Sequence, residues 1–249
     1  MKTLGLGLLA FGLSVLLVAA QAQETYGQPD APVVAEVLGT KIHTRDPDEM
    51  RAVIIGKLVD RYAAEQGIAV EPEEIDAYLD RLRRVADEDQ RQQEARRVAL
   101  TRKLEAKTLS DAERRSLSSQ LDSLNEFLNN IGEARNGAKE DSAEDKAARR
   151  QVAAAFIRQW KINQALYRQY GGRIIYQQGG PEPLDAYRTF LQARERQGAF
   201  KILNPTFEAE FWKYFLTDSI HSFYPKGSRE EARAFEMPWW LLSTPEKTP

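Results

Sequence analysis

Phe156-Ile-Arg-Gln-Trp-Lys-Ile-Asn-Gln-Ala-Leu-Tyr-Arg-Gln-Tyr-Gly-Gly172 is the stretch that decides the fold. Val152, Phe156, Trp160, Ile162, Leu166 and Tyr167 recur at helical spacing, which predicts a helix from about Ala143 to Tyr170. Gly171-Gly172 then supplies backbone freedom of the kind that ends helices. The apolar face is broader than a seam between two helices requires, so this helix is expected to be central.

Upstream, helical patterns dominate. Asp46-Pro47-Asp48-Glu49 gives an N-cap, a proline at the first helical position and an early acid, followed by Met50, Ile54, Leu58 and Tyr62 every four residues. Gly67 is the expected stop. Pro72-Glu73-Glu74 opens a second helix with Ile75, Leu79, Leu82 and Val85 on one stripe, and its continuation from Asp87 to Arg97 is almost wholly charged or amide. Ser110-Asp-Ala-Glu113 is a capping box, after which Leu117, Leu121, Leu124, Leu128 and Ile131 step in alternating fours and threes, the spacing of a narrow coiled-coil seam. Arg135 to Asp145 reads as a linker or loop.

Short strands are expected only at Val33 to Val37 and Lys41 to His43, around a Gly39 turn, and at Ile174 to Tyr176. Downstream, Pro183 to Arg196 reads as a helix. Asn204-Pro205 opens another, rich in aromatics, with Phe207, Phe211, Trp212, Tyr214 and Phe215. The apolar stretch Met237-Pro-Trp-Trp-Leu-Leu242 is too short to cross a bilayer. The aromatics of this half form a second core or an apolar binding surface. The fold class is therefore mainly α, with a short N-terminal strand pair and a helical, aromatic-rich C-terminal extension.

Composition narrows the function. The 249 residues carry 35 Lys+Arg against 37 Asp+Glu, a net charge of -2, which argues against nucleic acid as a partner. There is no cysteine and there are two histidines, His43 and His221, so thiolate chemistry and most zinc sites are excluded. Phosphate-binding glycine loops, nucleophile elbows and paired metal-binding histidines are absent from the sequence, and no cofactor, metal or catalytic residue is assigned. The carboxylate pairs Glu73/Glu74, Glu182/Asp185 and Glu208/Glu210 have the residue types of a glycosidase, but each lies near a helix start, where acids favour the positive end of the dipole.

Residues 1–22 read as a secretory signal peptide: Lys2, an apolar run from Leu4 to Val18, and the small-x-small pattern Ala20-Gln21-Ala22. The run is short of the ~20 residues a membrane span needs, and an uncleaved anchor is the minority reading. A periplasmic location follows as an expectation, with membrane contact only through the signal if it is retained.

The order of motifs resembles a family. Val33-Val-Ala-Glu-Val-Leu-Gly-Thr-Lys-Ile42, then Leu58-Val-Asp-Arg-Tyr-Ala-Ala-Glu-Gln-Gly-Ile68, then Val70-Glu-Pro-Glu-Glu-Ile-Asp76 is similar to the N-terminal domain of SurA-type periplasmic chaperones, in the wider trigger factor/SurA peptide-binding class. Leu38 stands where that pattern has asparagine, and Glu71-Pro72 where it has serine. The helix from Phe156 to Gly172 resembles the one that completes such domains. The resemblance implies a helical domain over 32–172; the residues themselves add a signal peptide over 1–22, a linker over 23–31, a polar hairpin arm at about 87–150, and an extension over 173–249 that falls outside the family pattern. The resemblance also implies an apolar groove for unfolded or extended polypeptides of the cell envelope. Trp160, Tyr167, Phe156, Ile54 and Leu58 are the candidate peptide-binding residues. The parvulin isomerase domain of many relatives has no counterpart in the polar, histidine-free interval from Asp87 to Arg150, so isomerase activity is not expected. A dedicated envelope-assembly partner on the same scaffold is the alternative function.

Overall fold

Hydrogen bonding at the N-terminus starts the architecture. In the computed structural model, which describes residues 24–137, 142–177 and 179–241, strands β1 (Thr25–Gly27), β2 (Val33–Val37) and β3 (Thr40–His43) precede the first helix. β2 and β3 form the expected antiparallel hairpin, with Val37 opposite Thr40. Both residues of its turn have positive φ, 50° at Leu38 and 81° at Gly39. Such a turn matches the twist of its strands, but it suits asparagine and glycine better than leucine.

Helices account for most of the rest: α1 (Pro47–Glu65), α2 (Pro72–Leu104), α3 (Asp111–Gly137), α4 (Ala143–Tyr170), α5 (Leu184–Arg196), α6 (Pro205–Leu216) and the short α7 (Arg229–Arg233). The caps read from sequence are present. The Asp46 side chain accepts from the Asp48 amide, Ser110 and Glu113 exchange capping hydrogen bonds, and Asn204 caps α6. α1 ends before Gly67 (φ 63°) and α4 before Gly171 (φ 63°). Among the described residues no helix is long and apolar enough to cross a membrane. The expected signal peptide lies outside the described residues, as does the part of the expected linker at 138–141. The flanks of that linker are helical: α3 continues to Gly137 and α4 starts at Ala143.

β4 (Ile175–Gln177) and β5 (Gly180–Glu182) make a small antiparallel ribbon, and β6 (Phe200–Ile202) adds to the N-terminal sheet. The order of that sheet is β1-β3-β2-β6, with β6 antiparallel to β2. The chain after Gly172 thus returns to complete the sheet that the first strands began.

One apolar cluster joins these parts. Met50, Ile54, Leu58 and Tyr62 of α1 meet Val34, Val37 and Ile42 of the sheet, Ile162 and Leu166 of α4, Phe190 of α5, and Phe211 and Phe215 of α6. Each such side chain contributes ~1.5–3 kcal/mol on leaving water. A separate cluster of Leu100, Leu124 and Leu128, flanked by Leu117 and Leu121, zips α2 to α3 as a hairpin arm. This seam resumes beyond the charged stretch of α2, as the leucine spacing of α3 requires.

Candidate functional site

The N-terminal half of α2 runs antiparallel to α4. Glu74 pairs with Lys161 at 2.6 Å, Tyr78 stacks on Phe156 with ring centroids 6.3 Å apart, and Asp76 pairs with Arg150. Lys161 also donates to the carbonyl of Ala69 at 2.7 Å, fixing the link between α1 and α2 against α4. Between the two helices lies an aromatic cleft built from Tyr78 of α2 with Ala153, Ile157 and Trp160 of α4.

An irregular segment from the C-terminal end of the described chain occupies this cleft. Trp240, in a 3-10 turn over Trp239–Leu241, is 4% exposed. Its ring meets Tyr78 edge-on at 5.4 Å and Trp160 at 5.7 Å. Phe235 sits against Tyr167 at 5.1 Å and Trp160 at 6.4 Å. Each aromatic pair is worth ~0.5–1.5 kcal/mol beyond the area it buries. The Gln164 side-chain amide donates to the backbone carbonyl of Phe235 at 2.7 Å. The segment is held by aromatic contacts of Phe235 and Trp240 and by a hydrogen bond to the Phe235 main-chain carbonyl, anchors of the kind that grooves use to hold peptides.

The occupied cleft continues into open surface. Gln164 also lines a concavity of about 720 Å³ bounded by Tyr62, Gln66, Ile68, Lys161 and Arg168. Phe156 remains 45% exposed, and Leu82, Val85 and Val152, further along the same helices, are exposed as well. Lone exposed apolar residues are ordinary, but here four lie on the two helices that wall the aromatic cleft.

Of the residues expected from sequence, Trp160 and Tyr167 meet through Phe235, and Phe156 joins them through Tyr78. Ile54 and Leu58 are placed elsewhere. They are 0% and 1% exposed in the main core, because the face of α1 that carries them packs under the sheet and α6. Tyr78, Gln164 and Phe235 were not singled out by sequence reasoning. Trp240 belongs to the apolar stretch noted there, and Phe235, five residues earlier, could have been grouped with it by type.

Several of the groups weighed for catalysis have partners within the fold. His43 Nδ1 lies 3.0 Å from the carbonyl of Ala31, and His221 Nε2 lies 2.6 Å from that of Tyr214. Glu74 closes the Glu71 cap and binds Lys161, which hold its carboxyl below the usual range against the opposing effect of burial, the largest single influence. Glu210 pairs with Lys213 at 3.1 Å. Asp185 is gripped by Arg173, which also reaches Asp218 at 2.6 Å. Glu182 ends β5 directly before the Pro183 cap of α5, near the helix start as expected, and accepts from Tyr214. Among the described residues no group of three or more His, Asp or Glu converges as metal ligands do.

No family model, no curated protein and no solved structure matches the chain. The functional reading accordingly rests on the cleft.

Proposed function

We propose that the protein is a chaperone-like binder of unfolded or extended polypeptide in the cell envelope, holding its clients in the α2–α4 cleft without a chemical step. One observation carries this reading. The cleft already holds a polypeptide segment by aromatic side chains and a backbone carbonyl, through Trp160, Tyr167 and Gln164. Those contacts do not depend on a particular client sequence beyond an aromatic residue, which suits a binder of many chains. The motif order that resembles SurA-type chaperones supports the same reading, and the pattern of residues 1–22 supports a periplasmic setting.

The test is suppression of aggregation of a denatured outer-membrane protein by the chain from Gln23 onward, at stoichiometric ratio and moderate salt. Suppression that falls when Trp160 is replaced by Phe and Gln164 by Ala, in a protein that keeps its thermal unfolding, is the expected result. A well-folded protein that leaves aggregation untouched refutes the general-chaperone reading. Capture of one or two envelope proteins in place of many would favour a dedicated assembly partner.

A further inference from the structure

A second concavity shares no lining residue with the aromatic cleft. It measures about 410 Å³ and lies between α1, α4, α5 and α6, with Glu182 of β5 in its wall. One side is apolar, from Ala52, Ile55 and Val59 of α1 and Phe215 of α6. Tyr187 and Tyr214 line the same space.

The hydrogen bonds there leave an imbalance. The Tyr214 hydroxyl donates to Glu182, 3.1 and 3.3 Å from its two oxygens, and accepts from Gln177 Nε2 at 2.8 Å. The Tyr187 hydroxyl donates to Asn163 Oδ1 at 2.8 Å. Gln159 Nε2 spends its two hydrogens on Asn163 Oδ1 and the Tyr187 hydroxyl, both at 2.8 Å. The donors of both tyrosines and of Gln159 are therefore committed, whereas the carboxylate of Glu182 keeps lone pairs to spare. No described residue forms an ion pair with Glu182. The nearest basic lining residue, Arg51, is tied to Asp48 at 2.8 Å and lies over the Tyr214 ring, 5.3 Å from its centroid. A carboxylate set against aromatic and aliphatic side chains, with no ion pair among the described residues and with His221 acting on it from behind Tyr214, has room for a cation that brings its own donors and an apolar stem.

We propose that this concavity binds an alkylammonium group, with the ammonium on Glu182 and its methylene chain along Ala52, Ile55 and Val59. A free aliphatic amine and the lysine side chain of a polypeptide offer the same chemistry, and the geometry accommodates either. Burial raises the Glu182 carboxyl above its usual range, so binding draws it into the charged form and releases a proton. Affinity consequently climbs with pH until Glu182 is ionised in the free protein. The other titratable or charged groups facing it are Asp48 and Arg51 on α1, Tyr187 on α5, Tyr214 on α6 and His221 behind Tyr214.

The experiment follows the Ile55 methyl resonance of the full chain while n-butylamine, and separately a pentapeptide with one central lysine, is titrated in. Calorimetry in two buffers of different ionisation enthalpy counts the protons released. Saturable shifts at Ile55, weakened at least ten-fold by Glu182→Gln, are expected. That variant keeps the acceptor for Tyr214 and so keeps the fold. Tighter binding of the amine or of the peptide identifies the source. No saturable shift with either probe, or equal binding by E182Q, overturns the proposal. Proton release by the wild-type protein is a second readout that stands if E182Q fails to fold, and its absence at mildly acidic pH likewise overturns the proposal.

Discussion

If the C-terminal segment fills the cleft that clients use, loosening it must strengthen client binding. The perturbation is Trp240→Ala. Trp240 is 4% exposed and contacts two aromatic rings, and large-to-small changes at such buried aromatics cost ~3–5 kcal/mol. The main core contains neither Trp240 nor Phe235, so the loss should fall on the docking of this segment. A docked segment competes with any client, and the apparent dissociation constant exceeds the intrinsic one by the ratio of closed to open forms. Removing ~3 kcal/mol of docking lowers that ratio by about 100-fold, since each 1.4 kcal/mol is a factor of ten. The assay is fluorescence anisotropy of a labelled unfolded peptide containing aromatics, with wild type and variant at one salt concentration. Tighter binding by W240A, by a factor of 10 to about 100, is the expected result, with the main thermal transition preserved. Equal or weaker binding by a folded W240A would show that the segment is not a competitor and would refute the reasoning.

Three further outcomes follow from contacts elsewhere. The Arg173 guanidinium donates twice to Asp185 and lies over Phe223, and with the Arg173 backbone N–H it holds the Asp185 carboxyl below its usual range against burial, the largest single influence. A lowered folded pKa gives stability that is present above the unfolded aspartate value and lost as pH falls through the folded one. Arg173→Met should therefore cost about 1–2 kcal/mol at neutral pH, after allowance for its exposed end, and less at strongly acidic pH, as urea unfolding at both would show. At Gly172, where φ is 95°, an added Cβ would lie 2.4 Å from Cβ of Asp185, so Gly172→Ala should cost about 1–3 kcal/mol by the same measurement; an unchanged midpoint would contradict the close approach. Glu182, raised by burial, has the opposite sign to Asp185: its charge costs stability as pH rises from the unfolded glutamate value through the folded one, and the cost persists above. Glu182→Gln should therefore melt higher than wild type at neutral pH, with the gap closing in acid; a lower neutral melting temperature would mean that the carboxylate stabilises the fold.

The helices were legible because their signals are local. Caps at Asp46, Ser110 and Asn204, stops at Gly67 and Gly171, and the leucine steps of α3 each act within a few residues, and the structure contains all of them. Strand β6 was not legible. Phe200-Lys-Ile202 is three residues long, and its assignment depends on Ala35 and Val37, which lie more than 160 positions away. The same distance hid half of the cleft: α4 offered Trp160 and Tyr167, but the partners that cover them come from α2 and from Phe235 and Trp240. Ile54 and Leu58 show the limit from the other direction. Their spacing marks the apolar face of α1 but does not distinguish a face that meets a groove from one that meets a core.

The breadth of α4's apolar face was the sign in the sequence that carried furthest, and the structure gives its cause. A helix in a two-stranded seam needs one narrow stripe, whereas α4 serves three neighbourhoods. Ile162 and Leu166 enter the main core, Phe156, Trp160 and Tyr167 form the wall of the cleft, and Gln159 and Asn163 hold Tyr187 in the wall of the acidic concavity. Trp160 and Gln159 are adjacent in sequence and face different cavities, so under the proposed function a client that displaced Phe235 and Trp240 would act on the helix that also orients Tyr187. If α4 transmits that displacement, the two cavities are coupled. Titrating n-butylamine in the presence of saturating unfolded peptide measures that influence, because reciprocal coupling requires the same factor in either order of addition.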